Sequence, residues 1–132
     1  MQDYGIFEDT KDMRDKEKHI FHRDVQDALE LIGGRWRGAI MASLCGSPKR
    51  FSDLKADLNP VTSRVLIREL RYLEHNRLIV VERSSLAANS VLYSHSEHGS
   101  SCAPIIIQLR DWAVKHRIIM LDVIKENSNS KT

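Results

Sequence analysis

The sequence predicts one mainly α-helical domain with a small β-hairpin. Three observations predict it. Apolar residues recur at helical spacing along most of the chain. One central helix has leucines on one side and arginines on the other. After that helix a β-branched run, LIVVERS, is followed by a turn-forming stretch, LAANS, and an alternating run, VLYSHS. The 132 residues suffice for one modest core. At 42% hydrophobic and 29% charged, the composition is that of a globular chain rather than a disordered one.

Each element follows from its local pattern. Residues 1–22 read as a charged N-terminal arm with no clean period, and residues 23–127 as the domain. Val25, Ala28, Leu29 and Ile32 obey the i, i+3, i+4, i+7 rule, so a short amphipathic helix is expected with Asp24 as its cap. Gly33-Gly34 interrupts it. A second helix is expected from roughly Arg35 to Leu44, with Trp36, Ala39, Ile40, Ser43 and Leu44 on one face. Ser52 then caps the brief helix SDLKADL, whose buried side is Phe51, Leu54 and Leu58. Asn59-Pro60 stops it, because the residue before proline avoids the α region.

Thr62 or Ser63 caps the next helix, which runs to about Asn76. Within it Leu66, Leu70 and Leu73 lie inside an arc of about 60°. Arg64, Arg68, Arg71 and His75 occupy a similar arc on the opposite side. The hairpin comes next. From Ser96 to about Asn127 the chain reads as helix, with Pro104 either kinking it or marking its true start. Past Pro104 the apolar residues cover most of the helix circumference. A domain this small buries one such face, and the other calls for a second chain. Residues 128–132 read as a disordered polar tail.

Charge and composition narrow the function classes. The net charge is +2, but residues 23–132 alone carry +4, concentrated in the arginine-bearing helix. No run approaches the roughly 20 apolar residues of a membrane span. The charged N-terminus lacks the apolar centre of a signal peptide, so the expected location is cytoplasmic. Cys45 and Cys102 lie far apart and outside any CxxC pair; they read as free thiols, with redox activity left open. His19/His22 and His95/His98 are i, i+3 pairs, but no further ligand completes a zinc site, and no metal or cofactor is expected. No phosphate loop or nucleophile elbow appears, and an enzyme is not expected.

The order helix, helix, short helix, tight turn, helix, hairpin has the spacing of a winged helix-turn-helix. A helix fits the major groove of duplex DNA and offers base edges the residues of its first turns. Arg64 and Arg68 project from those turns, and a guanidinium binds guanine or phosphate through two hydrogen bonds. Thr62 and Ser63 sit at the helix N-terminus, which favours phosphate. Ile67 flanks the stripe, in reach of a thymine methyl. Arg71 and Arg50 are candidates for phosphates, and Arg83, Ser84, Asn89 and Ser90 of the hairpin for phosphates or the minor groove.

These segments also resemble a known family. ALELIGGRW, RFSDLKADL, TSRVLIRELRYLEHNRLI and VLYSHSEHG, with Trp112 in the last helix, are similar in content and order to the HxlR-type branch of winged-helix regulators, relatives of the MarR group. The resemblance spans about residues 24–117. It implies a dimeric repressor or activator that binds a palindromic operator and pairs through its first and last helices. The interface candidates are Val25, Leu29, Ile105, Leu109, Trp112, Ile119, Met120 and Val123. Many members carry a sensing cysteine just before the first helix, where this chain has Arg23, and the wing turn SSLAANS lacks the proline common in the family. Two alternatives stay open: a winged helix that binds protein instead of DNA, and a regulator gated by a small molecule at the dimer interface.

Overall fold

The computed structural model describes residues 15–83 and 91–130. Its elements are α1 (Asp15–Ile32), α2 (Arg37–Ser43), β1 (Lys49–Arg50), α3 (Phe51–Asp57), α4 (Ser63–His75), β2 (Ile79–Arg83), β3 (Val91–His95), α5 (Glu97–Ser100) and α6 (Ala103–Ser130).

Helix α1 starts inside the stretch read as an arm, so Asp24 lies mid-helix beside the Arg23 guanidinium at 3.8 Å and caps nothing. Lysine and glutamate are good helix formers without an apolar stripe, and Asp15 and Glu17 in the first turn complement the helix dipole. The break at Gly33-Gly34 occurs as expected; Gly34 has φ +73°, a backbone region that favours glycine. Helix α2 therefore begins only at Arg37. It buries Ile40 and Met41 completely, although Met41 had not been assigned to the inner face.

Helix α3 begins one residue before the expected cap. Arg50 holds the extended N-cap conformation, Ser52 falls within the helix, and Asp53 accepts a hydrogen bond from the Arg50 backbone N–H at 3.2 Å. In α4 the cap is Thr62, whose Oγ1 accepts from Val65 N–H at 3.2 Å. Leu66, Leu70 and Leu73 are buried, as their spacing requires. The C-terminus closes through Arg77, a non-glycine residue at φ +60°. There Leu78 N–H donates to the Leu73 carbonyl at 2.9 Å, and the Leu78 side chain is buried in the same core.

The hairpin is antiparallel, in register from Ile79 opposite His95 to Arg83 opposite Val91. A third strand was not expected. The two residues of β1 pair with β3, Lys49 opposite Tyr93 and Arg50 opposite Leu92, giving the order β1-β3-β2. Two residues are too short to show a period in sequence. Ser84, Asn89 and Ser90 of the turn lie outside the described residues.

The stretch after the hairpin is two helices, not one. Ser96 caps α5 by accepting from Gly99 N–H at 2.8 Å, and its hydroxyl donates to the Arg77 carbonyl at 2.6 Å. A Cβ on Gly99 would lie 1.8 Å from the Leu78 carbonyl oxygen, so only glycine fits there. Pro104 stands in the first turn of α6 and marks its start rather than a kink. The helix continues to Ser130, through residues 128–130 that were read as tail, since adding a residue to a formed helix is far easier than starting one. No residue of α6 is buried; only its beginning touches the core, through half-buried Ile106 beside Cys102.

The core is thus shared by α2, α3, α4 and the start of β2. This mainly helical domain with its small antiparallel sheet is a winged helix-turn-helix: α3 and α4 form the motif, and β2 and β3 the wing. Among the described residues no helix is long and apolar enough to cross a membrane.

Candidate nucleic-acid interface

The leucine clamp on the inner side of α4 fixes which residues point outward. Arg64, Ile67, Arg68 and Arg71 are exposed and line one shallow depression on the surface. Thr62 is exposed and Ser63 half-buried at the N-terminus of the same helix. The Thr62 oxygen accepts the capping hydrogen bond, which leaves its hydroxyl proton free to donate outward. Arg50 is exposed at the start of α3.

A cleft of about 310 Å³ joins the arginine stripe to the wing, lined by Phe51, Ile67, Leu70, Arg71, Glu74, Val81, Arg83 and Tyr93. Arg83 reaches back across it to Glu74 at 3.5 Å, although its side chain remains 67% exposed. The wing arginine is therefore partly engaged within the chain. Tyr93 lies in the cleft wall; burial pushes its hydroxyl pKa up, opposed by the positive charges of Arg83 and Arg71.

A second group of functional residues escaped the sequence reading. Glu69 is buried on the leucine side of α4 and pairs with Arg37 of α2 at 2.8 Å and with Arg68 at 3.2 Å. The guanidinium of Arg37 also stacks on Tyr72, 3.5 Å from the ring centroid. Burial alone would raise the pKa of Glu69, but the hydrogen bonds from Arg37 and Arg68 outweigh it and hold the carboxyl below its usual range. The signal was present: Glu69 follows Leu66 by three and precedes Leu73 by four, a position the leucine period assigns to the inside.

Elsewhere the candidates separate. Val25, Leu29, Ile105, Leu109, Trp112, Ile119, Met120 and Val123 are all exposed, from 38% at Val123 to 66% at Trp112. They lie on α1 and α6, away from the arginine stripe in sequence and in the fold. His95 donates through Nε2–H to the Met41 carbonyl at 2.7 Å, and the Cys45 thiol donates to the same carbonyl at 3.4 Å. Cys45 is exposed; Cys102 is half-buried, and burial pushes its thiol pKa up.

Comparison with known proteins agrees with this geometry. The model of the HxlR-like helix-turn-helix family matches residues 31–119. YdeP of Bacillus subtilis, an uncharacterised HTH-type transcriptional regulator, is 32% identical over 93 residues, covering 70% of this chain and 73% of its own. YtcD of Bacillus subtilis, another uncharacterised HTH-type transcriptional regulator, is 33% identical over 100 residues, covering 76% and 79%. Among solved structures, the redox regulator HypR in its reduced form superposes with a TM-score of 0.71 at 28% identity, covering 75% of this chain and 98% of HypR. The chain therefore belongs to the HxlR-like helix-turn-helix family and is a transcriptional regulator of helix-turn-helix type.

Proposed function

We propose that the protein is a homodimeric, sequence-specific DNA-binding regulator, repressor or activator, acting on a palindromic operator. The observation that carries this reading is the outward display of Arg64, Ile67, Arg68 and Arg71 from a helix clamped on its other side by leucines. Inserted in the major groove, α4 brings Arg64 and Arg68 to base edges and Ile67 to a thymine methyl. Thr62, Ser63, Arg71, Arg50 and Arg83 hold phosphates, and Ser84, Asn89 and Ser90 extend the wing toward the adjacent groove. Pairing through α1 and α6 covers their exposed apolar residues and sets two copies of α4 about 34 Å apart.

The test is a DNA-binding titration of Arg64→Ala and Arg68→Ala. Each is expected to weaken specific binding by about 1–3 kcal/mol. Parent-like binding by both variants would remove the assignment.

Thiol gating is a second reading, drawn from HypR solved in reduced and oxidised forms and YodB solved quinone-bound. The residues here weigh against it. Arg23 stands where the family pattern places its cysteine, and the raised Cys102 pKa leaves little reactive thiolate.

A further inference from the structure

Glu69 lies 8% exposed among the leucines of α4, where a lone carboxylate is unfavourable and a paired one is tolerated. Its two oxygens have different partners. Oε2 accepts from Arg37 Nε at 2.8 Å. Oε1 accepts from Arg68 Nε at 3.4 Å and from Arg68 Nη2 at 3.2 Å.

Arg37 is itself held from two further directions. Its guanidinium lies over the Tyr72 ring at 3.5 Å, and its Nη1 donates to the Glu30 carbonyl in the last turn of α1 at 2.6 Å. One oxygen of Glu69 is thereby anchored to the body of the domain, which fixes where the other oxygen stands.

Consider what this leaves of Arg68. A guanidinium has a side edge, Nε with Nη2, and an end edge, Nη1 with Nη2. Oε1 takes the side edge, while the side chain as a whole remains 69% exposed. The end edge keeps two parallel N–H donors. That is the fork that fits guanine O6 and N7.

We infer that Glu69 is a positioning residue for sequence readout, gripping the side edge of Arg68 so that its end edge stands preformed as a two-donor fork for guanine. The inference rests on the DNA-binding reading and adds what makes that binding selective. Attraction to phosphate needs a positive charge nearby and little else, whereas reading a base edge needs direction. Removing Glu69 should therefore lower discrimination between sequences and leave non-specific binding intact. A residue that served stability alone would lower both in proportion to the folded fraction, or neither.

The experiment starts with selection of preferred duplexes from a random DNA library by the intact protein. The parent, Glu69→Gln, Arg68→Ala and the double variant are then titrated with the selected duplex and with a scrambled one, below the melting temperature of each. The expected result for Glu69→Gln is a fall of about fivefold or more in the ratio of specific to non-specific affinity, the low end of one arginine–guanine contact. In the Arg68→Ala background the same substitution should change the ratio no further. Should Glu69→Gln not fold, Glu69→Asp takes its place, because the shorter carboxylate keeps the charge but cannot reach both arginines; the ratio should again fall. An unchanged ratio in the folded variant overturns the inference while leaving the DNA-binding reading standing, and so does an equal further loss in the Arg68→Ala background. A parent that selects no sequence at all overturns both.

Discussion

Helices α4 and α6 treat their apolar residues in opposite ways. The 13 residues of α4 are sharply divided: Leu66, Leu70 and Leu73 are buried, and Arg64, Arg68 and Arg71 face out. The 28 residues of α6 are apolar on nearly every side, yet none is buried. The contrast separates two kinds of partner. The apolar side of α4 is satisfied within its own chain by α2, α3 and β2, which frees its polar side for a charged ligand. The apolar surface of α6 has no such partner within the described residues, and its exposure, with that of Val25 and Leu29 on α1, supports pairing with a second copy.

The most severe way to sharpen this comparison is to damage the inner side of α4. Leu66→Ala leaves a cavity where the side chain is fully buried, and is expected to cost about 2–5 kcal/mol in denaturant unfolding. On α6 the corresponding change should act on assembly instead. Leu109→Asp with Ile119→Asp is expected to give a monomer in sedimentation, at concentrations where the parent is a dimer, with helical content retained. Each apolar side chain contributes roughly 1.5–3 kcal/mol when covered. A double variant that sediments with the parent would break the comparison.

A smaller effect is expected from acid. Glu69 titrates below its ordinary value of 4.5 in the folded chain. Its contribution to stability is therefore complete above that value and is lost as pH falls through the folded-state value. Melting temperatures measured from about pH 6 to about pH 3 should fall, and Glu69→Gln should fall less steeply. Equal slopes would mean that the pair with Arg37 is not formed in solution. The smallest effect concerns the end of α4. Arg77 holds a left-handed conformation that costs a side-chain-bearing residue about 1 kcal/mol. Arg77→Gly should raise stability by up to about that amount, measured by thermal unfolding.

How much was legible in the sequence depended on whether a feature repeats along the chain. The leucine and arginine sides of α4 follow from the 3.6-residue period, and the hairpin from alternation followed by turn residues. Features lacking a repeat were misplaced or missed. Asp24 and Ser52 have the chemistry of helix caps but lie inside α1 and α3, because flanking charged residues extended one helix and Asp53 took over the cap of the other. Strand β1 exists only because Lys49 and Arg50 meet β3, roughly 40 residues away in sequence.

By itself, then, the sequence determined the order of elements, the inner and outer sides of α4, and the surplus of apolar surface on the last helix, since each is written in spacing between near neighbours. Only the tertiary structure decided that Arg37 would cross from α2 to Glu69, that Glu69 would in turn hold Arg68, and that Arg83 would lean on Glu74. Such pairs join residues with no fixed spacing. Their formation depends on where packing carries two charges out of water together, and that is settled only when the helices meet.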